Sequence, residues 1–296
     1  MTNIDIIKDT LYVIEHNYTL NSKTSEAINS TAVYGEGFMS CKKPEYASNI
    51  HFEENLTLIA ARRLVKEGHK TCVLNFANPV EPGGGVLRGA NAQEEYLCRA
   101  SNLYPCLISK QASAYYDAHK SMLNRRYGEC FPASDRTIYT KGVTVIREDR
   151  KYDPNVFPSK SSQEYIEDRY SIDVLTCAAP ILAVHSTYPE KQLREILGGR
   201  VRNIFEVAIE NDVEAIVLGA FGCGAFHNPP ITVAEVFSDV LSEKRYLNAF
   251  KEVVFAVKRT GSYCPNIEAF EIAFSCFPPS AEYVFSTERN KRRFWE

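Results

Sequence analysis

From about residue 56 to residue 274, short apolar runs alternate with stretches whose apolar positions recur every three or four residues. Residues 72–76 (CVLNF), 215–218 (AIVL) and 253–257 (VVFAV) have the pattern of strands covered on both faces. Residues 143–146 and 174–178 are further strand candidates. Helical spacing predicts helices over 56–67, 93–103, 194–210, 231–241 and 267–274; in the first, Leu56, Ile59, Ala60 and Leu64 share one side. Pro105 should kink or stop the helix that begins at Gln93, and Gly198-Gly199 should interrupt the first turn of the one that begins at Arg194. Strands separated by helices imply crossover connections, hence an α/β fold with a parallel or mixed sheet between helical layers. Residues 1–50 lack this rhythm; Ile4, Ile7, Leu11 and Ile14 predict one helix there, and no chemistry stands out. Residues 147–170 are charged and hold Pro154 and Pro158, so they read as an exposed insertion between strands.

Composition narrows the function classes. A formal charge of −3 over 296 residues gives no general attraction to nucleic acid. The one basic cluster, Arg289, Lys291, Arg292 and Arg293, reads as a solvated tail. Nine cysteines, odd in number and without a C-x-x-C pair, are the usage of a reducing compartment, and Cys72, Cys98 and Cys223 sit among the small or apolar neighbours of buried thiols. Acidic residues near the start exclude a signal peptide, and no run reaches transmembrane length. The expectation is a soluble cytoplasmic protein. No zinc spacing occurs among the cysteines and six histidines, so no metal is expected.

Two glycine-rich loops follow strands, where open α/β sheets hold their ligands. The first runs from Asn75 through Asn78 to Gly83-Gly84-Gly85, and Gln93-Glu94-Glu95 follows after seven residues at a helix start. Three glycines let backbone N–H groups approach a ligand closely. Carboxylates repel a bare phosphate, so the acids fit a sugar beside a diphosphate. Consecutive helix positions point about 100° apart, so Glu94 and Glu95 divide two tasks. Acids at a helix N-terminus also stabilise it, which accounts for the pair but not for the glycines. Asn78 suits ribose hydroxyls and equally suits a turn before Pro79.

The second loop, Gly222-Cys223-Gly224-Ala225-Phe226 with flanking residues, precedes a helix whose positive end suits a diphosphate. It lacks the Gly-Lys-Ser/Thr of a P-loop and the third glycine of a dinucleotide fingerprint. Phe226 either meets the ligand or fills core, and His227 reads as a surface or capping residue.

The order NFANPVEPGGG, QEEYLCRASNLY, LGAFGCGAFHNPP, VVFAV resembles the microbial-type branch of the poly(ADP-ribose) glycohydrolases over roughly residues 30–275. The resemblance implies a macrodomain-like three-layer α/β/α sandwich with a mixed sheet, an N-terminal helical extension over 1–50 packed on the core, and a catalytic domain over 51–296. It implies an ADP-ribosyl glycohydrolase that releases ADP-ribose from chain ends of poly(ADP-ribose), with no cofactor. Glu95 would be the acid and base, with its carboxyl protonated at the start, and Glu94 would hold ribose hydroxyls. Gln93 would position the acids, and Gly83, Gly84, Gly85, Gly222, Cys223, Gly224, Ala225 and Phe226 would wrap the diphosphate and shape the ribose, with Asn78 beside it. Partners would be ADP-ribose, its polymer or ADP-ribosylated macromolecules. Neither membrane nor direct nucleic-acid binding is expected, and nothing argues against a monomer. Phe221 stands where many microbial members carry tryptophan. The alternatives are a non-catalytic ADP-ribose reader, which would have no use for the acid pair, or a hydrolase of mono-ADP-ribosylated protein or nucleobase.

Overall fold

The structure, a computed structural model, describes residues 1–123, 128–149, 163–275 and 282–285. Two helices open the chain, α1 (Asn3–His16) and α2 (Tyr18–Ser30), each with a polar N-cap: Thr2 accepts from Asp5 N–H at 3.2 Å and Asn17 from Leu20 N–H at 3.0 Å. Strands β1 (Ala32–Tyr34) and β2 (Asn49–Glu53) lead to helix α3 (Thr57–Lys66) and strand β3 (Thr71–Phe76). Next come α4 (Gln93–Ala100), α5 (Leu103–Leu107), α6 (Ser113–Met122) and the short β4 (Cys130–Phe131). The long β5 (Thr137–Asp149) and β6 (Gln163–Cys177) pair antiparallel; β7 (Ile181–Leu182) then pairs with β4. The remaining elements are α7 (Glu190–Glu210), β8 (Ala215–Leu218), α8 (Pro230–Leu241), β9 (Glu252–Ala256), α9 (Pro265–Ser275) and β10 (Glu282–Phe285).

Among the described residues eight strands form one sheet in the order β1-β5-β6-β3-β8-β9-β2-β10. The β1–β5 and β5–β6 pairs are antiparallel and every pair from β6 to β10 is parallel, so the sheet is mixed. The apolar runs of the sequence explain the layering, because successive strand residues face opposite sides. On β3, Cys72 and Leu74 join one core while Val73 joins the other; on β8, Ile216 and Leu218 separate from Ala215 and Val217; on β9, Val253 and Phe255 separate from Val254 and Ala256. The first core is closed by α7, α8 and α9 through Leu197, Phe205, Phe237 and Phe270, and the second by α3 to α6 with Ile7 of α1. Each Leu or Phe buried on these faces is worth roughly 1.5–3 kcal/mol over its exposed state. The result is the expected α/β/α sandwich.

The expectations for α4 and α7 need correction. Helix α4 ends at Ala100 rather than at 103, because Ser101 bridges to Val145 and Asn102 docks on β5, taking Thr144 N–H on its side chain at 2.7 Å. Pro105 therefore falls in the first turn of α5, where a missing N–H costs nothing. Helix α7 starts at Glu190 and runs unbroken through Gly198-Gly199. A Cβ on Gly199 would stand 3.1 Å from the Asp135 carboxylate that pairs with buried Arg200, so here glycine gives close approach and not a break.

The charged stretch at 147–170 is not simply an exposed insertion. Arg147, Glu148, Asp149 and Gln163 are buried strand residues, Arg147 bonding Thr10 and Asp9 of α1 and Glu148 pairing with Arg62. Residues 150–162 lie outside the described residues, as does the basic cluster at 289–293. Among the described residues eight cysteines are free; Cys41 is exposed, Cys223 half-buried and the rest buried. No helix among these residues is long and apolar enough to cross a membrane.

Candidate functional site

The end of β3 is where the site begins. Pairing of β3 with β8 stops at Val73, and beyond it the side chain of Gln93 takes over. Its oxygen accepts from Phe76 N–H at 2.9 Å and its amide donates to Leu74 carbonyl at 2.8 Å, so the first residue of α4 is fixed to the strand end. Helix α4 starts on Ala92, which cannot cap. Glu95 supplies the cap instead, accepting Ala92 N–H at 3.1 Å. The stabilising role foreseen for acids at a helix start is thus realised by Glu95.

The two carboxylates hang from different donors. Glu94 Oε2 accepts from Asn78 N–H at 2.8 Å and its Oε1 from Asn75 Nδ2 at 3.4 Å. Glu95 Oε1 accepts from Gly85 N–H at 2.8 Å. Both acids are buried, Glu94 at 3% exposure and Glu95 at 7%. Burial pushes the Glu94 carboxyl up to about 8; the Glu95 charge adds to the rise, while the Asn78 and Asn75 hydrogen bonds oppose it.

Gly84 lies against both acids. Its φ is +58°, and a Cβ there would stand 2.5 Å from Glu95 Oε1 and 3.0 Å from Glu94 Oε2. The glycine strip therefore makes room for the carboxylates as well as for a ligand. Asn78 does form the turn, accepting Val80 and Glu81 N–H at 2.9 Å each, which leaves its Nδ2 end for a ligand.

The second loop is tied down by Asn228, whose Nδ2 donates to Pro180 and Gly222 carbonyls at 2.7 and 3.0 Å. Gly222 has φ +73°, and a Cβ there would meet Asn228 Nδ2 at 2.5 Å. The N–H groups of Phe221, Cys223, His227 and Asn228 donate within the loop, which leaves those of Gly222, Gly224, Ala225 and Phe226 for an anion. His227 is exposed, as foreseen. Phe221 is buried against Phe76, ring centroids 5.6 Å apart.

A cleft of about 480 Å³ is lined by both segments. Asn78, Gly84, Gln93, Glu94, Glu95, Gly222, Gly224, Ala225 and Phe226 all face it. Gly83, Gly85 and Cys223 are not among its lining residues; Gly85 acts through its N–H to Glu95, and the Cys223 thiol turns back to Phe221 carbonyl at 3.7 Å. No residue of α8 lines the cleft, so the loop amides, not the helix end, are what a diphosphate would meet. Sequence reasoning missed Asn75, Asn228 and Arg99. A lone amide inside an apolar strand was the signal for Asn75, and the one-turn spacing from Glu95 was the signal for Arg99.

Fold and cleft together define a macrodomain-type sandwich with an acid pair at its ligand site, the class of ADP-ribosyl glycohydrolases. The model of the family described as microbial-type PARG, catalytic domain, matches residues 1–148, and this chain belongs to that family of poly(ADP-ribose) glycohydrolases. The solved poly(ADP-ribose) glycohydrolase of Thermomonospora curvata is 30% identical with a TM-score of 0.75, over 92% of this chain and 99% of that one. The same enzyme bound to the inhibitor ADP-HPD is 29% identical over the same shares, again with a TM-score of 0.75. The Deinococcus radiodurans enzyme in complex with ADP-ribose is 28% identical, with a TM-score of 0.71, over 85% and 97% of the two chains. No curated protein matches the chain.

Proposed function

We propose that this protein hydrolyses the ribose–ribose O-glycosidic bond of poly(ADP-ribose), working from chain ends and releasing ADP-ribose, with Glu95 as both acid and base. Glu95 gives its proton to the oxygen leaving the anomeric carbon. It then takes a proton from the water that attacks the oxocarbenium-like centre, so the carboxyl ends as it began. This single-carboxyl cycle differs from the paired-carboxylate scheme of most glycosidases. Glu94 grips ribose hydroxyls, Gln93 sets the pair, and the amides of Gly222, Gly224, Ala225 and Phe226 hold the diphosphate with Gly84 opposite. Within residues 1–50, helices α1 and α2 serve as an extension braced on the catalytic domain over 51–296, while β1 joins that domain's sheet.

The observation that carries the reading is the Glu95 carboxylate, suspended between Gly85 and Ala92 N–H groups on the wall of the cleft that the second glycine loop also lines. Glu95→Gln keeps the size and one of the two acceptor oxygens but cannot cycle a proton. Release of ADP-ribose from the polymer should fall about 10³-fold or more, with ADP-ribose binding by calorimetry held within about threefold. Wild-type turnover in that variant would remove the mechanism.

The nine cysteines without a paired motif support a cytoplasmic setting, and a single chain that carries the whole cleft supports action as a monomer.

A further inference from the structure

We propose that Arg99 is a positioning residue for Glu95: its buried guanidinium fixes Ala90 and Asn91, and through them the two backbone donors that hold the Glu95 carboxylate. The inference rests on the reading of Glu95 as the proton-transferring group.

Arg99 is 1% exposed on the inner side of α4, one helical turn beyond Glu95. Its Nη1 donates to Ala90 carbonyl at 2.6 Å and its Nη2 to Asn91 Oδ1 at 2.7 Å. Its Nε donates to Gln163 Oε1 at 3.0 Å. Burying a guanidinium on neutral acceptors costs free energy that an aliphatic core residue would avoid, so the position asks for the planar fork. What the fork holds is the short connection between the glycine strip and α4.

That connection carries the Glu95 carboxylate at both oxygens. Ala90 N–H bonds Gly85 carbonyl at 3.1 Å, and Gly85 N–H bonds Glu95 Oε1 at 2.8 Å. Ala92 N–H, next after Asn91, bonds Glu95 Oε2 at 3.1 Å. Arg99 thus closes a ring that starts and ends on one turn of α4.

From behind, Gln163 is itself held by Tyr96 carbonyl at 3.1 Å. Thr10 of α1 bonds Arg99 carbonyl at 2.8 Å and receives Arg147 Nε at 3.0 Å. The guanidinium is braced by Gln163 of β6 and the Arg99 main chain by Thr10 of α1, so the fork is anchored on the side away from Ala90 and Asn91. Without it, Ala90 and Asn91 would keep their ligand-facing neighbours but lose their fixed distance from Glu95.

The test uses the full chain with Arg99→Met, Arg99→Lys and Glu95→Gln, measuring kcat and KM on poly(ADP-ribose) and ADP-ribose binding by calorimetry. Arg99→Met should lower kcat about 100-fold while KM and ADP-ribose affinity stay within about threefold, and Arg99→Lys should regain about tenfold of the loss. A wild-type kcat in Arg99→Met overturns the proposal, as does a fall in kcat matched by an equal fall in the fraction able to bind ADP-ribose. If Arg99→Met does not fold, Asn91→Ala with Arg99→Lys decides, and wild-type kcat in both overturns it. Glu95→Gln separates the levels: activity in that variant defeats the reading of Glu95, whereas an inactive Glu95→Gln beside a fully active Arg99→Met defeats only the role of Arg99.

Discussion

Gln93 is bonded to Phe76 as a neighbouring strand would be: its side-chain oxygen takes the Phe76 N–H at 2.9 Å just where β8 has stopped pairing with β3. One side chain thereby completes the sheet and sets the first turn of the helix that carries both acids. Gln93→Ala should leave Phe76 N–H and Leu74 carbonyl without their partner and cost about 2 kcal/mol of stability, read from denaturant unfolding. Turnover should fall by more than that loss of folded protein accounts for, because Glu94 and Glu95 lose their reference to the strand.

Gly84→Ala tests the packing of the strip against the acids. The new Cβ would have to displace a Glu95 oxygen 2.5 Å away, at a backbone φ of +58° that alanine resists. We expect kcat on poly(ADP-ribose) to drop about 100-fold or more, ahead of any loss in ADP-ribose affinity. A variant that loses affinity but keeps kcat would show that the glycine serves the ligand and not the carboxylates.

The carboxyl of Glu94, raised by burial to about 8, makes stability depend on pH. Its folded value lies above its unfolded one, so the folded state keeps a proton that the unfolded chain gives up. The associated stabilisation is full below the unfolded value of about 4.5 and is lost as pH rises through about 8. Melting temperature should therefore decline across that window in the wild type. In Glu94→Gln, which has no proton to lose, the decline should flatten, and an unchanged slope would show that other groups control it.

Asn228→Ala removes the tie between the second loop and the Pro180 and Gly222 carbonyls. The loop amides should lose their common aim, so KM and the ADP-ribose dissociation constant should rise about tenfold together with a smaller change in kcat. Calorimetry against steady-state kinetics distinguishes this from a catalytic defect.

The sequence disclosed most where one physical demand dominated. The runs 72–76, 215–218 and 253–257 became β3, β8 and β9 because burial on both faces demands apolar residues, with Asn75 the one hydrogen-bonded exception. Strand β2, NIHFE, escaped notice because its polar positions are only half-covered beside β10. Helix α2 escaped because its buried stripe is Leu20, Thr24 and Ala27, a pattern too weak to read against its polar neighbours. The ends of β5 and β6 misled for the opposite reason: Arg147 and Glu148 look solvated in sequence but are buried against partners from α1 and α3, far away in the chain.

At the site, the glycines and acids were legible because they stand close together in sequence. Asn75, Arg99 and Asn228 gave fainter signals, since their settings are completed by Thr176, Gln163 and Pro180, which the fold brings from farther along the chain.

The floor of the cleft descends from two strands that lie side by side and run the same way, β3 and β8. Their separation is set by main-chain geometry at about 4.8 Å as far as Val73, and beyond it the Gln93 side chain ties the end of β3, so the roots of the two glycine turns are held by backbone and one side chain. Variety in what such an enzyme accepts must then be written on the more open parts of the lining, here Asn55, Lys258, Thr260 and Asn266, where side chains decide the outline. Changing what this cleft accepts is accordingly a matter of those banks, with the channel bed left as it stands.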